Sequence, residues 1–568
     1  MSNKKLRLSG AQYSFPVGAL EANKNKIAET INAVELVESD ILIFPELALT
    51  GYPPEDLLLR ESFVGKTYAK LEELAALSGD TASIVGFVDR SIGQQDTDAQ
   101  TRGIANAAAV IQGGDVKGIY HKCYLPNYSV FDEARYFDKG REKGKVFWFN
   151  EVGIGISICE DVWIGDGPAE LQVREGASII ININASPFDI SKSESRKEII
   201  TKKSKDLGVP FVYLNTVGGQ DELVFDGGSF ITDSRGKLIY QAKEFEEELF
   251  HVDIPVEQKG ESSSKVLNLR NSKVTIPKLT KNKEKNKSER IYSALTLGLK
   301  DYVIKNKFEK VLLGISGGID SALTAAIACD AMGPENVIGV AMPSRFSQES
   351  SIMDAEDLAN NLGMNLINIG IEEIANLYRD SISQASEEQL ASLTDQNIQA
   401  RVRGSLLMGI SNQIGAMVVA TGNKSEMAVG YATLYGDLVG GFALLKDLYK
   451  TEVYELAEYR NRIDNAIPKN IIEKEPSAEL KENQLDTDSL PEYSILDKIL
   501  YMYIEENASS DEIIAKGIEK SIVYEVLNRV DRSEYKRRQV APGVKLTPRA
   551  FGKDRRMPIS VTYERATE

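Results

Sequence analysis

The chain is poor in the two side chains that most often carry nucleophilic and metal chemistry. Its 568 residues include only 3 cysteines and 2 histidines. Three cysteines exclude a disulfide framework and a four-cysteine zinc cluster, and they favour a reducing compartment. A catalytic centre built on histidine must use His121 or His251. Carboxylates and lysines are therefore the more available acids and bases.

The chain also lacks excess positive charge and long apolar stretches. Lys and Arg total 67 against 84 Asp and Glu, which gives a formal net charge of −17 at pH 7. Such an acidic chain is unsuited to coating nucleic acid, because nonspecific binding depends on Lys and Arg meeting phosphates. We find no signal-peptide pattern and no apolar run near the ~20 residues of a membrane span. We therefore expect a cytoplasmic protein that binds neither nucleic acid nor membranes.

Two α/β regions flank a stretch without apolar periodicity. Residues 1–255 alternate short β-branched runs with helical patterns, which is typical of a layered α/β fold. Residues 256–290 are rich in polar residues and Lys and are predicted to be a solvated linker, with a basic functional arm as the alternative. Residues 291–568 repeat a strand–helix–strand pattern that indicates a parallel, doubly wound sheet.

The pattern also predicts individual elements. The predicted strands of the first region are Leu6–Phe15, Asp40–Phe44, Ser83–Val88, Ala107–Gln112, Val152–Ile158, Ser178–Ile183, Phe211–Leu214, Ser229–Thr232 and Leu249–Val252, with helices over 19–38, 63–77, 166–175 and 193–207. In the second region we predict strands over 310–316, 337–341, 366–369 and 416–420, and helices over 290–305, 321–332 and 350–362.

A glycine-rich turn follows the first strand of the second region. The turn reads Ser316-Gly317-Gly318-Ile319-Asp320-Ser321 and opens a predicted helix. Consecutive glycines let backbone amides face a ligand, and a helix start adds a positive dipole end, so the turn suits a phosphate. It lacks the Gly-Lys-Ser/Thr of a Walker loop. Asp320 beside a phosphate requires a cation. An ordinary strand–helix turn is the alternative.

This turn resembles the pyrophosphate-binding loop of the ATP pyrophosphatase family, whose members adenylate a carbonyl or carboxylate group. Further segments resemble the NAD synthetase branch of that family: Ala420-Thr-Gly-Asn-Lys-Ser-Glu426, Tyr435-Gly-Asp437, Lys446-Asp-Leu-Tyr-Lys450, Glu475-Pro-Ser-Ala-Glu-Leu480 and Asn397-Ile-Gln-Ala-Arg401-Val-Arg403. The basic stretch 534–558 resembles the family's C-terminal segment, with a ligand site or a subunit interface as its expected use.

The resemblance implies the ligands of individual residues. For ATP it implies Ser316, Gly317, Gly318, Asp320, Ser321 and Thr421. For Mg²⁺ it implies Asp320 and Glu426. For deamido-NAD it implies Asn397, Arg401, Lys450 and Lys536.

Cys159 follows the predicted strand 152–158 in the first region. A cysteine in such a strand is usually buried and inert. A reactive thiol needs a proton acceptor and a positive charge nearby. Glu46 and Lys122 each lie just beyond a predicted strand or apolar run, so both side chains can reach one pocket. A carboxylate takes the thiol proton, and an ammonium group favours thiolate and offsets the charge of an oxyanion.

The surroundings of Glu46, Lys122 and Cys159 resemble the nitrilase superfamily. The matching segments are Phe44-Pro-Glu46-Leu-Ala-Leu-Thr-Gly-Tyr52, Lys122-Cys-Tyr-Leu-Pro-Asn-Tyr128 and Ile158-Cys159-Glu-Asp-Val-Trp163. The resemblance implies an α-β-β-α sandwich in which Glu46 is the general base, Cys159 attacks an amide carbon and Lys122 stabilises the tetrahedral intermediate. Cys123 lacks this context and is expected to be structural. Glutamine contacts are implied for Tyr128, Glu133, Ser186 and either Lys192 or Arg196, with Lys192 preferred.

The two halves together resemble the glutamine-dependent NAD synthetases. The implied fold is a nitrilase-like sandwich at 1–255, the linker at 256–290 and an adenine nucleotide hydrolase-like synthetase domain at 291–568. The implied reaction amidates deamido-NAD with ATP and with ammonia from glutamine, in a homodimer formed through the synthetase domain. Two alternatives stay open: a glutamine-fed ligase with another acceptor, and a non-catalytic fusion.

Overall fold

The computed structural model describes residues 3–91, 102–257, 267–270, 272, 274–276, 282, 284–386 and 390–562. The chain divides into two compact units between Lys285 and Asn286, apart from residues 221–223, which group with the second unit. Part of the predicted linker 256–290 lies outside the described residues, so its extent stays a prediction. Within the described ranges, no helix combines the length and apolarity needed to cross a bilayer.

The first unit contains two sheets and four α-helices among its described residues. Its strands are β1 (Asn3–Gln12), β2 (Ile41–Ile43), β3 (Ala82–Arg90), β4 (Ile104–Gln112), β5 (Asp115–His121), β6 (Val146–Phe149), β7 (Val152–Ile158), β8 (Ala177–Asn184), β9 (Phe211–Asn215), β12 (Phe230–Thr232), β13 (Leu238–Gln241) and β14 (Glu248–Glu257), besides a two-stranded ribbon of β10 (Val217–Gln220) and β11 (Leu223–Asp226). Its helices are α1 (Leu20–Glu35), α2 (Glu61–Leu77), α3 (Pro168–Arg174) and α4 (Lys192–Leu207).

The two six-stranded sheets pack face to face between layers of helices. Their strand orders are β14-β1-β2-β3-β4-β5 and β13-β12-β9-β8-β7-β6. Side chains alternate between the faces of a strand, so Ile41 and Ile43 of β2 join Ile156 of β7 in a core between the sheets. Leu42 points the other way and packs with α1 and α2, while Ile180 of β8 packs with α3 and α4. The predicted α-β-β-α sandwich is confirmed.

The second unit is built on a five-stranded sheet. Its strands are β15 (Lys310–Ile315), β16 (Val337–Ala341), β17 (Asn365–Asn368), β18 (Ala416–Ala420) and β19 (Phe442–Ala443). Its helices are α5 (Lys287–Lys305), α6 (Ile319–Met332), α7 (Glu349–Leu362), α8 (Glu372–Ser386), α9 (Ser392–Ile414), α10 (Lys424–Val429), α11 (Lys450–Asp464), α12 (Lys469–Glu473), α13 (Tyr493–Ile504), α14 (Ser510–Ile514), α15 (Lys520–Arg532) and α16 (Glu534–Arg537).

This sheet is parallel throughout and has a point at which its strand order reverses. The order is β17-β16-β15-β18-β19, and every neighbouring pair is parallel. The chain moves outward from β15 in one direction and then returns to place β18 on its other side. Ligands of such sheets bind at the carboxyl ends of the strands where the order reverses. Ser316 directly follows β15 and Thr421 directly follows β18, so the predicted doubly wound sheet brings these two motifs together.

Several strands of the first unit are missing from the sequence-based prediction. They are β5, β6, β10, β11 and β13. β5 is a polar, partly exposed edge strand that forms because Gly113 and Gly114 adopt φ of 58° and 83° and turn the chain back onto β4. Pairing with a neighbouring strand, rather than local apolar alternation, decides such an element.

A fully buried lysine, Lys424, holds the C-terminal segment around Thr547 against the rest of the second unit. Lys424 Nζ donates to Asp447 Oδ1 at 2.7 Å and to Thr547 Oγ1 at 2.8 Å, and it is also paired with Glu505. Asp447 Oδ2 in turn accepts the backbone N–H groups of Leu546 and Thr547, both at 2.7 Å. The segment around Thr547 is therefore held by a charged network without access to water.

We predict that Lys424→Met strongly lowers the stability of the second unit. The substitution leaves two buried carboxylates without their cation, which typically costs about 3–5 kcal/mol. A thermal scan of the full chain should show its transition at a clearly lower temperature. The control is Lys469→Met, because Lys469 is 82% exposed and pairs with Glu473 on the surface. Equal melting temperatures for the two variants would contradict the prediction.

Candidate functional site

Cys159 occupies a constrained position at the carboxyl end of β7. It begins a short 3₁₀ turn, Cys159–Val162, and its own φ is 43°. A non-glycine residue in this left-handed region is held there by its surroundings, and such residues cluster at functional sites. The thiol is buried, with only 4% of the residue exposed. The fold therefore aims this side chain at one place inside the sandwich.

Asp161 fixes this turn to the strand that carries Lys122. Its Oδ2 accepts the backbone N–H of Ile158 at 3.1 Å and the hydroxyl of Tyr120 at 2.9 Å. Its Oδ1 accepts the backbone N–H groups of Cys123 and Tyr124 at 3.0 and 2.9 Å. Although burial raises the pKa of Asp161 to about 6, four donors stabilise the ionised form. The end of β7 and the residues after β5 are thereby locked together.

Lys122 lies between two buried carboxylates. Its Nζ donates to Glu46 Oε1 at 2.7 Å and to Glu133 Oε1 at 2.8 Å, and the Tyr52 hydroxyl also donates to Glu133 Oε1 at 3.0 Å. No part of the Lys122 side chain is exposed. The predicted Glu46, Lys122 and Glu133 are therefore brought together, and both carboxylates interact electrostatically with the Cys159 thiol.

Burial favours the protonated form of the Cys159 thiol. It raises the pKa of this thiol well above its usual value, and the Glu46 carboxylate raises the pKa further. Lys122 lowers the thiol pKa, as its positive charge predicts, but does not outweigh burial and Glu46. Burial also raises the pKa of Glu133 to about 7. Formation of a thiolate therefore requires a base, and Glu46 is the carboxylate whose charge acts most strongly on the thiol.

The predicted glutamine contacts differ in exposure and in what they contact. Tyr128 is 53% exposed, its hydroxyl donates to Glu160 Oε2 at 2.9 Å, and it interacts electrostatically with the Cys159 thiol. The backbone N–H of Ser186 donates to a buried asparagine. Lys192 begins α4, with its Nζ 5.4 Å from the centre of the Phe131 ring. The role of these three residues in binding glutamine stays a prediction.

The Arg196 side chain is buried and forms its hydrogen bonds within the protein. Its Nη1 lies 2.7 and 2.8 Å from the two Asp226 oxygens, and its Nη2 donates to the carbonyls of Ser186 and Pro187 at 3.1 and 2.6 Å. Only 4% of the residue is exposed. These bonds favour Lys192 over Arg196 as a ligand contact.

The predicted phosphate loop forms a tight turn between β15 and α6. Gly317 has φ of 78°, and a Cβ there would lie 2.4 Å from the carbonyl oxygen of Ser351. The hydroxyls of Ser316 and Ser321 are 3.1 Å apart, and Ser321 Oγ also donates to the carbonyl of Gly318 at 2.9 Å. α6 starts at Ile319, so its first N–H groups are adjacent to the turn. This is the geometry of an anion cradle.

Two carboxylates from neighbouring strand ends share one ammonium group. Lys450 Nζ lies 2.5 Å from Asp320 Oδ2 and 3.3 Å from Glu426 Oε1. Asn423 joins the two loops, because its Nδ2 donates to Asp320 Oδ1 at 2.9 Å and its Oδ1 accepts the Glu426 N–H at 3.0 Å. Burial raises the pKa of Glu426 to about 8. Both carboxylates thus converge on a single cation position.

The remaining candidate residues of the second unit gather at one segment. Asn397 and Arg401 of α9 and Lys536 of α16 each form a hydrogen bond with the segment 430–434. Lys536 Nζ donates to two carbonyls of this segment, both at 2.7 Å. Lys450, the fourth predicted deamido-NAD contact, lies between the carboxylates of Asp320 and Glu426, and its contact with deamido-NAD stays a prediction.

Two family models match the chain in the order of its two units. The carbon-nitrogen hydrolase model matches residues 7–262, and the NAD synthase model matches residues 291–540. The first unit thus matches the carbon-nitrogen hydrolases, and the second matches the NAD synthases.

Similar proteins cover almost the entire chain. The glutamine-dependent NAD(+) synthetase of Thermotoga maritima is 43% identical over 583 residues, which cover 99% of each chain. That of Aquifex aeolicus is 44% identical over 574 residues, 98% of this chain and 99% of its own. A solved structure of glutamine-dependent NAD+ synthetase from Acinetobacter baumannii, in complex with ADP, has a TM-score of 0.73 and 39% identity over 98% of both chains. The chain belongs to the glutamine-dependent NAD(+) synthetase family.

Three residues of the first centre were not singled out from the sequence. They are Asp161, Tyr52 and Asn106, whose amide donates to Glu46 Oε1 at 2.7 Å. Asp161 and Tyr52 stand within the segments that carry the nitrilase resemblance, so their position was the available signal. Asn106 lies in a strand with no such segment, and only strand pairing places it at the centre.

We predict that Asp161→Asn destabilises the first unit. An amide has one acceptor where the carboxylate has two, so its NH₂ group would face buried donors. Each unpaired buried donor costs about 1–3 kcal/mol. The melting temperature should fall, whereas Asp166→Asn should leave it unchanged because Asp166 is 71% exposed and pairs with Arg174. An Asp161→Asn protein that melts like the unsubstituted chain would refute the anchoring role.

Proposed function

We propose that this chain makes NAD by amidating deamido-NAD, with ATP as the activating substrate and glutamine as the nitrogen source. Deamido-NAD, ATP, glutamine and water give NAD, AMP, pyrophosphate and glutamate. The observation that carries the proposal is the presence in one chain of a buried Glu46–Lys122–Cys159 centre and of a phosphate loop at the strand reversal of a parallel sheet. The first releases ammonia from an amide, and the second binds ATP phosphates.

In the first unit, Cys159 hydrolyses the glutamine side chain through a thioester. Glu46 takes the thiol proton as the sulfur forms a bond to the carboxamide carbon. The positive charge of Lys122 offsets the negative charge that develops on the carboxamide oxygen. Ammonia leaves with a proton returned by Glu46. Water then attacks the thioester with Glu46 again acting as base, which releases glutamate and restores the thiol.

Glutamine itself is held by groups that surround the nucleophile. Tyr128, Ser186 and Lys192 bind its backbone groups, and Glu133 keeps Lys122 in place from the side opposite Glu46. The positive charge of Lys192 complements the glutamine carboxylate. Support for Lys192 in this role comes from Arg196, because both Nη atoms of Arg196 already bond to Asp226 and to two carbonyl groups.

In the second unit, the nicotinate carboxylate of deamido-NAD attacks the α-phosphate of ATP. The adenylate and pyrophosphate form, and ammonia then displaces AMP to give the amide. Ser316, Gly317, Gly318 and Ser321 of the phosphate loop cradle the pyrophosphate portion, and Thr421 lies beside them at the end of β18. Asn397, Arg401 and Lys536 bind deamido-NAD near the segment 430–434.

The second unit also offers residues that fit a magnesium ion. Asp320 Oδ2 and Glu426 Oε1 lie 2.5 and 3.3 Å from Lys450 Nζ, so both carboxylates face one cation position. Among the described residues, no group of three or more His, Cys, Asp and Glu side chains is arranged around a metal position. Two carboxylates plus substrate phosphates are a usual Mg²⁺ environment. Bound there, the ion would neutralise phosphate charge.

Two other functions are less well supported. Another glutamine-fed ligase would share the first unit, but the NAD synthase model covers residues 291–540 of the second. A non-catalytic fusion would not need Lys122 and Lys450 to stay buried between pairs of carboxylates. We also propose that the enzyme works in the cytoplasm as a homodimer joined through its second unit. One assay with ATP, Mg²⁺, glutamine and deamido-NAD, read out as NAD, AMP and pyrophosphate, distinguishes these functions.

We predict that Cys159→Ala abolishes synthesis from glutamine and preserves synthesis from ammonia. Loss of a covalent nucleophile lowers the rate by several orders of magnitude, while the adenylating unit keeps all its groups. NAD formation is measured with glutamine and, separately, with concentrated ammonium at alkaline pH. Glu46→Ala and Lys122→Ala should behave alike. Cys123→Ala is the control, because the Cys123 thiol bonds to the Tyr120 hydroxyl and the His121 carbonyl, both at 3.4 Å, and is expected to be structural. Near-normal glutamine use by Cys159→Ala would overturn the assignment.

We predict that Asp320→Asn and Glu426→Gln abolish adenylation and leave glutamine hydrolysis measurable. Each change removes one of the charges proposed to hold Mg²⁺, so the rate should fall about 100-fold or more. Pyrophosphate release is followed against Mg²⁺ concentration, and Mg²⁺–ATP binding is measured directly by calorimetry. Unaltered Mg²⁺ dependence in both variants would remove these carboxylates from the metal site.

A further inference from the structure

A polar residue lies where the first unit is otherwise filled with apolar side chains. Asn106 is on β4 and is completely buried. Alternation along the strand places it on the same face as Ala108 and Val110, which belong to the core between the two sheets. A buried polar side chain at such a position needs an explanation, because burying an amide is unfavourable unless it is hydrogen-bonded.

The Asn106 amide is one of three hydrogen-bond donors that hold the Glu46 carboxylate. Its Nδ2 donates to Glu46 Oε1 at 2.7 Å, and the same oxygen accepts Lys122 Nζ at 2.7 Å. Glu46 Oε2 accepts the backbone N–H of Ala185 at 2.8 Å. Three donors from three separate strand regions thus fix both oxygens of one carboxylate, which leaves the group little freedom to rotate.

The same residue also places the backbone of Lys122. The carbonyl of Asn106 accepts the N–H of Lys122 at 2.8 Å. β4 and β5 are antiparallel, and the pair Ala107 and His121 sets this register just before Lys122. Asn106 therefore bonds to the proposed base through its side chain and to the proposed electrostatic stabiliser through its main chain.

The amide oxygen of Asn106, unlike its NH₂ group, forms no hydrogen bond. Oδ1 of Asn106 is buried and has no hydrogen-bond partner in the structure. An unsatisfied buried acceptor costs about 1–3 kcal/mol, so an apolar side chain of similar size would fold at least as well. A flipped amide would turn its oxygen toward the Glu46 carboxylate and replace an attraction with a repulsion. The amide is thus oriented by its donor, toward Glu46.

We propose that Asn106 is a positioning residue for glutamine hydrolysis, which holds the Glu46 carboxylate in the orientation that takes the Cys159 proton. The inference rests on the proposed function of Glu46, Lys122 and Cys159. Asn106 does not contact the reacting atoms in this scheme. It acts through Glu46, by restricting the carboxylate and by donating to its ionised form.

The inference implies that kcat and KM respond differently. Asn106 orients the Glu46 carboxylate through a hydrogen bond and is not one of the proposed glutamine contacts. Its removal should therefore slow the reaction of bound glutamine and leave glutamine binding nearly unchanged.

The test compares Asn106→Ala with a matched buried asparagine in the full-length enzyme. Asn182 on β8 is also completely buried and also has an unpartnered Oδ1, but its Nδ2 donates to Ser157 Oγ rather than to Glu46. We expect Asn106→Ala to lower kcat for glutamine hydrolysis about 10–100-fold with little change in KM, a loss typical of residues that orient catalytic groups. Synthesis from ammonium should be unchanged. Asn182→Ala should keep both kcat and KM.

A second variant covers the case in which Asn106→Ala does not fold. Asn106→Asp has almost the same shape and sets a second carboxylate against Glu46, so it should lose more glutaminase activity than Asn106→Ala. A folded Asn106→Ala or Asn106→Asp protein with normal kcat would overturn the inference. An equal loss in Asn182→Ala would also overturn it, because the effect would then be structural. Glutamine hydrolysis by Cys159→Ala would instead defeat the proposed function itself.

Discussion

A lysine ammonium group without access to water is the constraint on which the first centre depends. Lys122 is fully buried, and removing an ammonium group from water costs several kcal/mol unless opposite charges and hydrogen bonds replace the solvent. Glu46 and Glu133 supply those charges at 2.7 and 2.8 Å. Each carboxylate is itself held by further donors, among them Asn106 and Tyr52. The requirement to satisfy one buried charge thus fixes the position of every group around the thiol.

The second unit contains two further buried lysines whose charges must also be balanced. Lys424 and Lys450 are both buried, and each contacts two carboxylates that come from different parts of the chain. The Lys424 network joins the C-terminal segment to the sheet, while Lys450 joins the phosphate loop to the residues after β18. Breaking such a pair leaves an uncompensated charge in a region of low dielectric constant, which is more costly than losing a surface ion pair. These lysines therefore stabilise one arrangement of the loops over others.

Sequence patterns predicted the layers of the fold and the residues of both centres better than they predicted the connections between them. The apolar runs of β7 and β8, which are buried on both faces, could be recognised as strands from the chain, whereas the α-β-β-α order came from the resemblance to the nitrilase superfamily. The edge strand β5 could not, because its pairing with β4 depends on a turn and not on its own apolar residues. Asn106 was not predicted as a site residue for a similar reason, because an isolated asparagine in an alanine-rich strand has no recognisable local pattern. Its importance arises only when β4 pairs with β5 and sets it beside Glu46.

The raised pKa of the Cys159 thiol follows from the same burial and has a chemical consequence. A thiolate formed permanently in this pocket would place a third negative charge beside Glu46 and Glu133, with only Lys122 to balance them. The protonated thiol avoids that excess, and in the proposed mechanism the proton moves to Glu46 only when a carboxamide carbon is present to bond with the sulfur. The negative charge then passes to the carboxamide oxygen, where the ammonium group of Lys122 offsets it, so the net charge of the buried centre stays constant through the step. A centre that conserves its charge needs little reorganisation of its surroundings, which is the condition under which fixed dipoles and buried ions lower a barrier most effectively.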